Sequence, residues 1–417
     1  MSPTIAAPRP STAPDTARDR ARLDIPRKAA FWLVALVLGA TMLGTTLPTP
    51  LYDIYQARWH FSAAVVTATF AVYAASVLVT LLLAGHSSDQ ARKPVLAAAL
   101  GASALSTVVF ILAPDVGALI AARIVSGVSA GLMTGTATAT LTELVPASDG
   151  RRASLVATVA NMGGLGLGPL IAGLFAQYAP HPTVLVFEVY LGVLTAAGLC
   201  LLLVPETVTV HSRPTLRFTG LGIPERGRDE FIAASVAAFA AFALLGLFSS
   251  LVPGFIGGVL HQTSHAVQGG VVFLLMAVGT VTQILLSRFN GRRVVLSGLG
   301  LFLAALALIL AALAQAEMVL FLAGTVVGGV AVGAIFLGGL ATANRLAPPG
   351  RRGHVISAFF VACYAGLIIP VVGVGVLTEF TSVFAAVLAI SILLAALCLF
   401  SVARITTALE PGKATRR

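Results

Sequence analysis

The sequence predicts an all-α membrane protein with twelve transmembrane helices in two pseudo-symmetric six-helix halves. Composition, apolar runs and an internal repeat carry that prediction. The chain has 417 residues, 58% hydrophobic and 10% charged, with a mean hydropathy of +0.97. A soluble chain of this length needs far more charged surface. Twelve apolar runs are each long enough to cross a bilayer as one helix. Backbone groups in lipid must bond internally, so the runs are read as helices.

Residues 1–28, rich in Ala, Pro, Ser, Thr, Arg and Asp, read as a disordered tail. The apolar segment after it lacks a cleavage site and is read as a retained span, not a signal peptide. The runs lie near 30–52, 62–84, 94–114, 116–142, 154–178, 183–204, 231–258, 266–287, 294–314, 318–342, 354–378 and 381–402. The first six form an N-terminal half at 29–204 and the last six a C-terminal half at 231–403. A polar linker, 205–230, joins them, and 404–417 form a second tail.

The repeat supports this division. "VPASDGRRASL" (145–155) resembles "LAPPGRRGHVI" (346–356), and "QARKPV" (90–95) returns as "NGRRVV" (290–295). Pro169 answers to Pro370 and Gly173 to Gly373. Repeats of this kind place a substrate site between the halves, near the bilayer midplane.

The formal net charge of +10 is a topology signal. Of the 26 Lys and Arg residues, all but Arg58 and Arg123 fall in the two tails and the even-numbered connections. The positive-inside bias therefore puts both termini in the cytoplasm, in a multi-pass protein of the cell membrane. Nucleic acid is not an expected partner. Cys200, Cys363 and Cys398 lie inside apolar runs, so neither a disulfide framework nor a metal site is expected.

The first basic connection reads "GHSSDQARKP" (85–94). An acid and a basic pair at a tight turn can lock helix ends together; a solvated charged turn is the plainer reading. With the twelve spans and two halves, this loop resembles the major facilitator superfamily. Gly85, Asp89 and Lys93 fit that family's loop pattern. Gln90, Arg92 and Pro94 depart from it. The resemblance implies a latch that closes the two halves together, with Glu143 as a partner for Arg92 or Lys93. Phe289 stands near the place of Asp89 in the second half, so a latch there lacks its acid. "VPET" (204–207) is also common in the family.

The fourth run holds "RIVSGVSAGLMTG" (123–135), with Arg123, Gly127, Gly131 and Gly135 spaced by four on one face. Small residues pack against another helix, which turns Arg123 into protein or a water-filled cavity. Snorkelling to the outer surface is the alternative. The family pattern Arg-x-x-x-Gly-x-x-x-Gly is met, and the resemblance implies a part in proton transfer. The repeat position is Ala323, so the arginine is no general requirement of the repeat.

Few acids lie near the membrane. Asp53 ends the first run, and Glu188 lies a few residues into the sixth, opposite Leu388 in the repeat. Either could be a protonatable group raised by burial; the plainer readings are a wet residue at the outer surface for Asp53 and an interfacial residue on a peripheral helix for Glu188. The histidines fall in connections or at span ends and make no relay. Tyr73, Asn161, Gln283 and Tyr364 are candidates for a substrate cavity, or else for helix–helix hydrogen bonds.

No enzyme is expected. "GLGLGPLIAG" (164–173) contains Gly-x-Gly, but inside a span instead of after a strand, and no Walker lysine loop exists. Gly164, Gly168, Pro169 and Gly173 match instead the Gly-x-x-x-Gly-Pro-x-x-x-Gly pattern of the family's drug/proton antiporter branch. The expected role is a kinked hinge and seal between the halves. The function expected is proton-coupled efflux of a small hydrophobic or amphipathic compound, multidrug-type, by a monomer without cofactors. Uptake symport on the same fold is the alternative. A non-transporting sensor or scaffold is a third reading, for which a linker of about 26 residues gives no support.

Overall fold

A computed structural model describes residues 25–208, 218, 220–260, 262–348 and 351–407, with side chains of 84–90, 147 and 253–255 left undescribed. Among the described residues, twelve helices are long and apolar enough to cross a membrane. They are labelled α1 to α12. In the first half, α1 is Arg27–Thr46 continued by Tyr52–Trp59, α2 Ala63–Gln90, α3 Arg92–Leu112, α4 Val116–Glu143, α5 Gly150–Tyr178 and α6 Pro182–Leu203. In the second, α7 is Arg228–Ser250, α8 His265–Leu286, α9 Gly291–Gln315, α10 Met318–Leu346, α11 Arg352–Leu377 and α12 Val383–Thr407. The two tails fall on undescribed residues except at their edges, and the described part of the linker forms no long helix before Arg228, where α7 begins three residues earlier than the sequence reading placed it.

Two runs differ from the reading of the sequence. The first does not stop near Leu51. Pro48 and Pro50 each lack an N–H, so α1 breaks after Thr46, tightens into a single turn at Thr49–Leu51 and resumes to Trp59. Asp53 thus lies in the first turn of the continuing helix, not at the end of the span. The seventh run, read as continuous over 231–258, ends its long helix at Ser250. A separate short helix follows at Val252–Gly258.

The halves meet along α2, α5, α8 and α11, with α5 against α8 and α2 against α11. One apolar core fills the first half and reaches across to α7 and α11; a second fills the remainder of the second half. Within each half, small residues let backbones touch. Gly127 and Gly131 of α4 sit against Tyr73, Ser76, Val77 and Thr80 of α2, and Gly333 of α10 sits against Gly279 of α8. Gly135 has open space beside it, so the glycine stripe of α4 is shorter than its spacing suggests.

Candidate functional site

Between the halves lies a cavity of about 260 Å³. Tyr73, Asn161, Gln283 and Tyr364 all line it, two from each half. Asn161 donates from Nδ2 to Thr134 Oγ1 at 3.3 Å. The described residues lining it include no charged side chain. Ser154, Thr158, Asn161 and Leu165 of α5 share the wall; their spacing of about four is one helical face. The opposing wall is aromatic. Phe242 lies 5.4 Å from Phe336 and 6.3 Å from Tyr364, and Phe336 lies 6.3 Å from Phe360, centroid to centroid. The α5 stripe was available from periodicity. The phenylalanines were not, because an apolar side chain in a span reads equally as lipid-facing.

The cavity widens toward the face that carries the basic connections. There a space of about 610 Å³ shares Ser154, Thr158 and Gln283 with it and adds Arg151 and Arg288. Arg151 Nη2 donates to Ser287 Oγ at 3.0 Å across the mouth. On the opposite face the halves are closed. A Cβ at Gly173 would meet the carbonyl of His265, one at Gly269 the carbonyl of Pro169, and one at Gly375 the side chain of Thr67. The His265 N–H donates to Gln177 Oε1 at 3.0 Å across the same seam.

The glycines of "GLGLGPLIAG" therefore divide between two faces of α5. Gly164 faces Gly39 and Met42, and Gly168 faces Leu43, Thr46 and Leu47, all on α1 in the same half. Gly166, Pro169 and Gly173 face α8. The expectation that Gly164 and Gly168 make the seal between halves is corrected: Pro169 and Gly173 lie on the seam, and the other two bind α5 to α1. Pro169 also leaves the carbonyl of Leu165 without its usual donor four residues on. Thr46 Oγ1 supplies one at 2.8 Å.

Arg123 is 1% exposed. Its Nε donates to Tyr52 Oη at 2.6 Å and its Nη1 to the Thr45 carbonyl at 2.5 Å. That carbonyl is in the last turn of the first α1 segment, where acceptors are orphaned and the helix dipole is negative. The guanidinium lies 5.3 Å from the ring centres of both Tyr52 and Tyr73 and 5.9 Å from Phe110. No carboxylate pairs with it among the described residues. A cation is thus held by a broken helix end and aromatic faces, with Tyr73 between it and the cavity. Arg123 does not snorkel.

The two candidate acids are placed elsewhere. Asp53 is half-buried and lines a different cavity, on the closed face. Glu188 is exposed on α6 and lines none of the cavities described above. The structure does not bring it to Arg123.

At the basic face, Arg92 pairs with Glu143, Nη2 to Oε1 at 2.8 Å, with Nε 3.2 Å from Oε1. Lys93 Nζ instead donates to the Leu202 carbonyl at 2.8 Å. The side chains of Gly85 and Asp89 lie outside the described residues. Glu206 joins this cluster. Its carboxylate accepts the N–H of Arg92 and that of Lys93, each at 3.0 Å, capping α3 where the helix dipole favours an anion. "VPET" carries it, yet capping of a helix that starts about 110 residues earlier cannot be read from sequence. These contacts join parts of the first half to one another and to the start of the linker; none of them reaches the second half. Glu206→Ala is expected to lower stability by about 1–2 kcal/mol, seen as a reduced melting temperature in detergent. An unchanged melt would refute the cap.

Twelve membrane helices in two halves, around an uncharged cavity open to one face only, define a multi-pass membrane transporter. The model of the Major Facilitator Superfamily matches residues 34–369, and the chain belongs to that family. It is 27% identical over 367 residues to the MFS-type transporter YceJ of Bacillus subtilis (strain 168), covering 85% of this chain and 91% of that one. Among solved structures, it resembles a bacterial homolog of the human lysosomal transporter Spinster in an inward-facing, unoccupied conformation. The TM-score is 0.69 at 13% identity, over 92% of this chain and 98% of that one. It also resembles the human organic anion transporter MFSD10 (TETRAN), with a TM-score of 0.64 at 18% identity, over 91% and 100% of the two chains.

Proposed function

We propose that this transporter exports a small hydrophobic or amphipathic organic compound in exchange for protons. The observation that carries the reading is the central cavity: mostly aromatic and aliphatic, with uncharged polar groups and no charged side chain among the described lining residues, and continuous with the space at the basic face. A localised charge would lose its hydration there and meet only hydroxyls and amides, with no counter-charge among the described lining residues. A neutral compound, or one with delocalised charge, would keep its apolar burial and stack on Phe242, Phe336 and Tyr364. By the positive-inside bias the basic face is cytoplasmic, so this conformation loads from inside. The helix-5 pattern of the antiporter branch supports export over uptake.

For coupling we assign Asp53 and Arg123 and leave out Glu188, whose exposed position gives it no route to either. Asp53 follows Tyr52, the residue that accepts from Arg123 Nε. Protonation of Asp53 from outside would act on that short helix, and through Tyr52 on the arginine. Inside-out proteoliposomes with an acid lumen are expected to accumulate lipophilic dyes, and to lose that accumulation when the gradient is collapsed. Phe336→Ala should weaken dye binding by about five- to thirtyfold, the value of a lost aromatic contact of about 1–2 kcal/mol. Accumulation that ignores the pH gradient would overturn the coupling.

A further inference from the structure

The closed face holds a second cavity between the halves, of about 360 Å³, which the transport path described above does not use. Its two walls differ in chemistry. The first half supplies the charge and most of the polar groups, Thr49, Tyr52, Asp53 and Gln56; the second supplies a mainly apolar surface that includes Val374, Val383 and Val387, with the hydroxyls of Ser250 and Thr378. Asp53 is the single charged side chain among the described residues lining it. The break in α1 sets Thr49 and Asp53 four residues apart, looking into the same space. Thr49 is 1% exposed, and its hydroxyl has no hydrogen-bond partner among the described residues. A buried polar atom left unpaired costs about 1–3 kcal/mol, so this wall carries an unmet hydrogen bond one helical turn before Asp53.

These features select the ligand. An anion is repelled by Asp53. A hard metal ion needs six or more oxygens, and Asp53 is the one carboxylate among the described lining residues, against six valines and leucines. An organic ammonium satisfies both walls, its charge on Asp53 and its apolar body on the valines. The volume falls in the range of small-molecule sites, about 300–1,000 Å³. Because the walls belong to different halves, such a ligand binds only while this face is closed, and it favours that conformation. We propose that this cavity is a second binding site, taking an amphiphilic organic monocation from the face opposite the basic one and holding the transporter open to the basic face. The proposal requires two conformations, not efflux or proton coupling, and its test reads binding instead of flux.

The probe is 4-phenylbutylammonium, titrated calorimetrically into the full-length protein in lipid nanodiscs, beside 4-phenylbutanol and 4-phenylbutyrate. The ammonium should bind at least about tenfold more tightly than the alcohol, the worth of one charge-assisted hydrogen bond, and the carboxylate should not bind. Asp53→Asn should remove that advantage. Val387→Trp should abolish binding by filling the space while Asp53 is kept; ligand-free melts confirm that each variant is folded. Equal affinity of alcohol and ammonium, or wild-type affinity in Asp53→Asn, overturns the site. Affinity lost in Phe336→Ala but kept in Asp53→Asn would place the ammonium in the central cavity and also overturn it. The conformational part is read from a cysteine at Ser154, in the mouth, with Cys200, Cys363 and Cys398 replaced by alanine. The ammonium should speed its labelling, and an unchanged rate removes that part.

Discussion

Gly269→Val is expected to open the closed face and stop transport while the protein stays folded. A Cβ at Gly269 falls on the Pro169 carbonyl, a backbone atom that no rotamer change can move. Overpacking of this kind costs about 1–3 kcal/mol. Gly269 is on α8 and Pro169 on α5, in different halves, so the strain is relieved by parting them at this end. The ratio of the two conformations should shift by about 5- to 150-fold. Gly173→Val, against the His265 carbonyl from the other side of the seam, should act alike. The measurement is the labelling rate of a cysteine at Thr378, which lines the outer cavity, in the cysteine-free background. That rate should rise. Gly168→Val is the contrast. Its side chain would strike Thr46 and the Leu43 carbonyl inside one half, where no conformational change relieves it. It should lower the melting temperature and leave labelling unchanged. If Gly168→Val neither destabilised nor impaired transport, the packing of α5 on α1 would be misassigned.

The second large effect is expected at Arg123. Truncation to alanine leaves the Tyr52 hydroxyl and the Thr45 carbonyl unpaired and opens a void among three aromatic rings. The loss should be about 2–5 kcal/mol, with transport abolished. Arg123→Lys keeps the charge at the broken helix end but gives up the planar fork, so one of the two directed hydrogen bonds is lost. It should retain most of the stability and only part of the transport. The split matters: a purely structural arginine would let both variants transport in proportion to the folded protein recovered. A lysine variant that is stable yet uncoupled from the pH gradient would show that the geometry of the guanidinium, beyond its charge, serves coupling. Full gradient-driven transport by Arg123→Ala would exclude any such role.

Local patterns carried much of this. The spacing of Arg123 with Gly127 and Gly131 put the arginine inside protein, and it is buried. Tyr73, Asn161, Gln283 and Tyr364 stood out as polar or aromatic residues in apolar runs, and all four line one cavity. Other readings failed where a helix has more than one partner. The stripe Gly164, Gly168 and Ala172 is smooth by spacing, but spacing does not name the neighbour. That stripe lies on α1, and the seam uses the adjacent face. Asp53 and Glu188 looked alike in the sequence, as lone acids near the outer side. One lines a cavity between halves and the other is exposed on α6.

Hydropathy and the repeat were enough for twelve spans in two halves, because lipid imposes length, polarity and backbone pairing on each segment independently. Which residues meet is a different kind of quantity. The Thr45 carbonyl that holds Arg123, the Thr46 hydroxyl that serves Leu165, and the Glu206 cap on α3 each pair groups about 80 to 120 residues apart. They form only when separate helices are packed at particular rotations, and no local rule encodes a rotation. The face to which the central cavity opens is also set there, by the close approach of Gly173 and Gly269 to backbone carbonyls and of Gly375 to the Thr67 side chain across the seam between the halves.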